Sequence, residues 1–312
     1  MCSLRNKILN MQGRNYWLDV AKGITIILMV LGHSSIPDGL SRFIYAFHMP
    51  LFFISSGWVT NFTKYNIVDF ILHKARTLLL PFIIYSAIVL VLINYWDKSS
   101  FVLWIKTGWG GYALWFIPVL YFALVISQFI YKLENRGIRL TILFMILVGA
   151  AVLSYNKIVL PWNLASVPYA IVCIMIGAEL NKFQNKIAVT SVGALVALAL
   201  VTLLISMKWR LDMAWNNITP IIPITIGAIS GTILVYMISV FVDQKLPICS
   251  RMFQSIGRET YLILALSQIV IIYLNEIFSL SGIVKYSLLV LILVALKFIK
   301  DFINRILTIK LL

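Results

Sequence analysis

Charged residues are scarce in this sequence. Asp, Glu, Lys and Arg make up 12% of the 312 residues, against about 25% in an ordinary soluble domain. With 61% apolar residues and a mean hydropathy of +0.96, a water-soluble domain of this size could not bury its apolar surface. Lipid as the surrounding solvent removes the difficulty, because apolar faces then point outward. Cysteine is sparse too. Cys2, Cys173 and Cys249 are too scattered for a metal-ligand spacing or a disulfide framework, and no metal is expected. Cys173 falls inside an apolar run and reads as a small core residue. There is no internal repeat, low-complexity tract or soluble domain. Residues 1–17 are polar and basic and lead straight into the first apolar run, so no cleavable leader is expected.

Acidic residues are the rarest charged type, and the net charge is +15. No basic run is long enough to suggest nucleic acid, and the cations sit between apolar segments. That pattern is the one membrane topology produces. Apolar runs of roughly spanning length fall at 18–36, 43–60, 77–93, 112–131, 139–154, 164–180, 187–206, 218–242, 260–277 and 283–300. The connections are short, the longest being around 94–111 and 243–259. The expectation is an all-α integral membrane protein of about ten transmembrane helices, one membrane-embedded domain over 1–312. With the N-terminus placed in the cytoplasm, nineteen of the twenty-six Lys and Arg residues fall on inner segments and seven on outer ones. The outer seven include Lys98, Lys106, Lys157, Lys208 and Arg210. This split favours both termini in the cytoplasm.

An uncharged helix would be the cheap way to fill 18–36. This one carries Asp19, Lys22 and His33. An ionisable group at mid-membrane costs about 2.5–3.5 kcal/mol on insertion scales, so it usually faces a cavity. Lys22 and His33 are eleven residues apart, three helical turns plus about 20°, and so share a face about 16 Å apart along the axis. Asp19 lies one turn before Lys22 and can pair with it. Ile26 and Met29 complete the stripe. Plainer roles compete: Lys22 can snorkel to the interface, Asp19 can be a helix-start acid, and His33 can be a packing residue.

The second run holds Phe47-His48-Met49-Pro50-Leu51-Phe52-Phe53 and then Ser55-Ser56-Gly57-Trp58. His48, Pro50 and Gly57 interrupt it, which suggests a broken or re-entrant helix. His33 and His48 come from neighbouring elements and can line one cavity. The tryptophans Trp104, Trp109, Trp209 and Trp215 of the outer connections read first as an interfacial belt.

These residues resemble the acyltransferase-3 family of membrane acyltransferases, especially its fucose acetylase-like and capsular polysaccharide O-acetyltransferase branch. The resemblance rests on Trp17-Leu18-Asp19-Val20-Ala21-Lys22-Gly23-Ile24, Gly32-His33, Phe47 to Phe53 and Ser56-Gly57. It continues through Lys74-Ala75-Arg76, Leu79-Leu80-Pro81-Phe82, Leu114-Trp115-Phe116 and Ile256-Gly257-Arg258-Glu259-Thr260. Two departures stand out. Much of the family has arginine where this chain has Lys22, and it often has histidine where this chain reads Leu266-Ser267-Gln268.

The resemblance implies transfer of an acyl group, usually acetyl, from acetyl-CoA to a sugar hydroxyl of a polysaccharide or its precursor, free or lipid-linked. It implies a multi-pass protein of the cell membrane, in bacteria the cytoplasmic membrane. Because a hydroxyl is a poor nucleophile near neutral pH, a histidine is expected as general base or as the acyl carrier. His33 is the first candidate, with Lys22, His48 and Asp19 beside it in the catalytic group. Lys74, Arg76 and Arg258 are candidates for the phosphates of coenzyme A. Each can also be a plain topology anchor. Trp115 is a candidate for stacking on the substrate, or else belongs to the aromatic packing. A rival reading is a transporter or flippase of lipid-linked saccharides, but such proteins often show internal repeats. Oligomeric state is not readable.

The charge distribution makes a testable prediction. In a variant with Cys2, Cys173 and Cys249 replaced, a single cysteine at position 208 should react with a membrane-impermeant maleimide in intact cells. Reaction only after permeabilisation would defeat the ten-span topology.

Overall fold

The computed structural model describes residues 15–33, 36–94, 112–183, 191–276 and 282–306. Trp104, Trp109 and the cations Lys98 and Lys106 lie outside the described residues. The described chain is helical, with a single isolated antiparallel bridge between Asp212 and Asn217. Its helices are α1 (Tyr16–Gly32), α2 (Asp38–Tyr45), α3 (His48–Val59), α4 (Ile67–Lys74), α5 (Leu80–Asn94), α6 (Phe116–Tyr131) and α7 (Arg136–Tyr155). They continue as α8 (Val167–Asn181), α9 (Val192–Lys208), α10 (Ile221–Lys245), α11 (Pro247–Arg258), α12 (Thr260–Glu276) and α13 (Gly282–Ile306).

Among the described residues, five stretches are long and apolar enough to cross a membrane: Ile67–Leu92, Ala113–Tyr131, Arg136–Tyr155, Pro161–Asn181 and Ile221–Lys245. The pair Pro247–Arg258 and Thr260–Asn275, bent by 76°, makes a sixth if it counts as one span. The arrangement is multi-pass, with five or six of the ten expected spans recognisable by length and composition among the described residues. Three of the expected spans are short in the structure: α1 and α9 have 17 residues each and α3 only 12, at or below the lower limit of about 17 for a span. Lipid-facing side chains of α7 such as Phe144 and Met145 are exposed, as are Leu204 of α9 and Phe298 of α13.

Two local expectations need correction. The stretch 243–259 is not a loop: α11 occupies most of it and packs along α1. Nor is the second run broken at Pro50. That proline stands third in α3, where a missing N–H costs nothing because the first turn has no intrahelical acceptor for it. The chain is interrupted earlier, at Ala46 and Phe47, between α2 and α3.

Helix starts follow from sequence. The Asn66 side chain accepts from the Asp69 N–H, Asn135 from Gly137 and Ile138, and Ser191 from Ala194, each satisfying otherwise orphaned donors. Between α4 and α5 the backbone makes a π turn over Ala75–Leu79. Pro81 explains it, since it offers no N–H to the Thr77 carbonyl and its ring crowds that turn. The widened turn leaves the Leu78 carbonyl to accept from the Tyr261 hydroxyl at 3.0 Å.

The core is assembled by glycines. A Cβ on Gly57 would collide with the Ile174 carbonyl, and one on Gly177 with the Ile54 carbonyl, so α3 and α8 touch backbone to backbone. The same reciprocity joins α1 to α11: Gly23 meets the Phe253 carbonyl and Gly257 meets that of Asp19. Gly231 of α10 accepts the Phe47 ring in the same way. In lipid, where no hydrophobic drive pulls helices together, such close approach supplies the packing energy. Trp17, Trp58 and Tyr236, with ring centroids 5.1–5.6 Å apart, then lock α1, α3 and α10 together.

Gly57→Ala and Gly177→Ala should each lower the melting temperature in detergent, with an overpacking cost of about 1–3 kcal/mol or more. Gly149→Ala on α7, where a Cβ meets nothing within 4 Å, should leave it unchanged or slightly raised. Equal melting of the three variants would show that the glycine contacts are not limiting.

Candidate active site

The polar residues of α1 stand at two separate cavities. At its beginning Asp19 is buried, with Lys22 Nζ 2.8 Å from one carboxylate oxygen and Arg258 Nε 3.8 Å from the other. A carboxylate taken out of water needs such partners, and the α1–α11 contact through Gly23 and Gly257 brings Arg258 to it. Glu259, at the bend between α11 and α12, pairs with Lys300 of α13. Lys22 lines a cavity of about 200 Å³ with Ser55 and Ser56 of α3, Leu78, Phe116, Thr260 and Tyr261. The late motif is thereby accounted for residue by residue. Gly257 permits the close approach, Arg258 and Glu259 form ion pairs, and Thr260 supplies part of the cavity wall.

The candidates Lys74 and Arg76 stand at the start of the π turn that also carries Leu78. Lys74 is half-buried, with its ammonium 5.4 Å from the Phe70 ring centroid, and Arg76 is exposed. The Leu78–Tyr261 hydrogen bond ties their turn to this end of the molecule. Lys22, Asp19 and Arg258 are brought into contact; Lys74 and Arg76 are not members of that group, and their turn reaches its cavity through Leu78.

A second cavity, of about 250 Å³, lies at the far end of α1. Met29 and His33 of α1, Tyr45, His48 and Met49, Ala113 and Trp115, and the segment Arg210–Trp215 line it. His33, Tyr45 and His48 form a chain. The Tyr45 hydroxyl is 3.2 Å from His33 Nδ1, and its ring meets the His48 ring edge-on with centroids 4.8 Å apart. His48 is buried, and its Nδ1 is 3.0 Å from the Ile44 carbonyl oxygen. A carbonyl can only accept, so Nδ1 carries the proton and Nε2 of the neutral ring keeps its lone pair. A phenol can donate or accept, so the Tyr45 contact fits either tautomer of His33. Trp115 is buried in this wall, which unites the expected stacking residue with both histidines.

Sequence reasoning did not place four of the residues that line this cavity. Tyr45 carried no signal beyond its place between the histidines. Arg210 counted only as an outer charge, Asp212 was not singled out, and Trp215 read as interfacial belt. Arg210, Asp212 and Trp215 share one signal, a charged, aromatic connection between two long apolar runs. Arg210 lies over the Tyr45 ring, 4.5 Å from its centroid, and is 3.9 Å from Asp38, which Arg42 holds at 2.6 Å. Burial pushes the Asp212 carboxyl above its usual pKa, opposed by the Arg210 guanidinium and the backbone N–H groups of Trp215 and Ala214.

The two cavities have no lining residue in common but draw on adjacent residues of the same segments. Phe52 and Phe116 line the first, while Met49, one turn before Phe52, and Trp115, beside Phe116, line the second. A family model described as an acyltransferase domain matches residues 15–300. The chain belongs to the acyltransferase-3 family. Neither curated proteins nor solved structures returned a match. As a membrane acyltransferase the chain needs a proton acceptor and a receptor for an acyl donor. Two of its three histidines, His33 and His48, line one cavity together with Arg210, while Lys22 lines the other and the third histidine, His73, stacks on Tyr65.

The Asp19 cluster predicts non-additive stability. Lys22→Ala or Arg258→Ala alone should cost little, about 1 kcal/mol or less, because both cations are partly exposed and the other remains. Removing both should cost about 3 kcal/mol or more, since Asp19 then loses both ion pairs while buried. Thermal melts of the two single variants and the double variant measure this; strict additivity would refute it.

Proposed function

We propose that this acyltransferase moves an acetyl group from acetyl-CoA to a hydroxyl of a cell-surface sugar or polysaccharide precursor, in the fucose acetylase-like branch of the family. It does so as a ten-span protein of a bacterial cytoplasmic membrane with both termini inside. The observation that carries the reading is the sharing of one cavity by His33, His48 and Trp115, at the opposite end of α1 from Lys22.

Coenzyme A is anionic and cytoplasmic. Its phosphates engage Lys74, Arg76 and Arg258 near the Lys22 cavity, as charge-assisted bonds to guanidinium and ammonium groups. Lys22 and His33 stand about 16 Å apart along α1, a gap the extended pantetheine arm is suited to cross, so the thioester reaches the histidine cavity while the nucleotide stays at the mouth. The acceptor sugar enters at the histidine end and lies against Trp115. His33 acts there as general base or as acyl carrier. As base it donates Nδ1–H to Tyr45 and takes the hydroxyl proton on Nε2. His48, whose Nε2 lone pair is held in place by the Ile44 carbonyl, accepts a hydrogen bond from the sugar and orients it.

Purified protein supplied with acetyl-CoA and a polysaccharide or its lipid-linked precursor should release free coenzyme A. His33→Ala should lower that rate about 10²-fold or more, as loss of a general base does, with normal membrane abundance. His33→Gln should fail as well, because an amide hydrogen-bonds but takes no proton near neutral pH. His48→Ala should cost less. Trapping acetyl on His33 with donor alone would select the carrier route. A Gln variant with near-normal turnover would remove His33 from the chemistry.

A further inference from the structure

The segment 209–218 is fastened far more firmly than a connection between two helices requires. Asp212 and Asn217 exchange backbone hydrogen bonds of 2.9 and 2.8 Å. Asn217 Nδ2 donates to the Arg210 carbonyl at 3.2 Å. From the neighbouring 3-10 turn (Pro161–Ser166), Ser166 Oγ donates to the Met213 carbonyl and Asn163 Nδ2 to that of Ala214, both at 2.5 Å. Asn216 Nδ2 donates to the Ile158 carbonyl at 3.2 Å, and the Ile218 N–H donates to Ser154 Oγ at 2.9 Å. The result is a rigid wall over the histidine cavity, and the cation it presents there is Arg210.

The Arg210 guanidinium lies over the Tyr45 ring, 4.5 Å from its centroid, and Tyr45 in turn touches His33. Its nearest carboxylate is Asp38 at 3.9 Å, an exposed residue already held by Arg42. The guanidinium also interacts with the Tyr45 hydroxyl and with the Asp212 carboxylate of its own segment; with five N–H donors in a plane, it keeps part of that capacity for the cavity. A fixed cation beside the proton acceptor is the arrangement that stabilises charge developing on a carbonyl oxygen.

We propose that Arg210 is a catalytic residue that binds the acyl oxygen as it becomes negative, an inference that rests on the acyl-transfer reading above. In the direct route the acceptor oxygen bonds to the acyl carbon, its proton passes to His33, and the carbonyl electron pair moves to the oxygen facing Arg210. Collapse restores the carbonyl and breaks the carbon–sulfur bond. The coenzyme A thiolate then takes the proton back from His33 and leaves as the thiol.

The test is steady-state kinetics of coenzyme A release by the full-length protein in detergent, with acetyl-CoA and the polysaccharide precursor. Arg210→Gln should lower kcat about 10²- to 10³-fold with little change in KM for either substrate, the signature of an interaction made only in the transition state. Arg210→Lys should fall between wild type and Arg210→Gln, because it keeps the charge but loses the planar fork. Added guanidinium ion should restore part of the rate to Arg210→Ala, a rescue that a collapsed loop would not permit. An unchanged kcat in the Gln and Lys variants would overturn the proposal. So would a rise in the acceptor KM at constant kcat, or an unrescued loss accompanied by a lowered melting temperature. If the wild type itself releases no coenzyme A, acyl transfer to this acceptor class fails and takes the inference with it, an outcome distinct from an active wild type with active Arg210 variants.

Discussion

The backbone contact between α1 and α11 at Gly23 and Gly257 is the constraint from which the rest of the Lys22 end follows. Side chains of any size at these positions would force the helices apart, since each glycine faces a carbonyl of the other helix. With the helices touching, Arg258 comes within reach of the Asp19 carboxylate and Lys22 pairs with it from one turn away. A buried carboxylate is tolerable only in such company. The bend after Arg258 then turns the chain into α12, which brings Thr260 and Tyr261 to the cavity wall and Glu259 to Lys300. The smallest residues of these helices thus decide where the charged ones meet.

The other end of α1 is built differently. Its polar groups are oriented by the backbone and by aromatic rings more than by ion pairs. The Ile44 carbonyl fixes the His48 tautomer, Tyr45 bridges the two histidines, and Arg210 lies across Tyr45. Cations thus gather on the Asp19 carboxylate at one end of the helix, and two histidines with Arg210 line the cavity at the other.

The aromatic and sulfur side chains between the two ends also matter. Met29 and Met49 face the histidine cavity, and Phe52 and Phe116 face the Lys22 cavity with their rings edge to face, centroids 6.0 Å apart. Both cavities are small, about 200 and 250 Å³. Methionine and edge-to-face phenylalanine pairs adapt their shape at low cost.

Much of this was legible in the sequence. The scarcity of charge determined a membrane protein, because no soluble core could absorb so many apolar residues. The helical repeat placed Asp19, Lys22 and His33 on one face, and the Asp19–Lys22 pair formed as spacing required, since both are local properties of one helix. The chain could not reveal that 243–259 is a helix packed on α1, because α11 is amphipathic rather than uniformly apolar. Nor could it show that Pro50 opens a helix instead of breaking one, which depends on where the first turn begins. The second histidine wall was hidden for a deeper reason. Arg210 is 165 residues from Tyr45, and only the packing of α9, α10 and the fastened loop between them brings one over the other. Sequence periodicity reports which residues share a face of one helix; which faces meet is decided by glycine contacts and hydrogen bonds between distant segments, and those exist only in the folded chain.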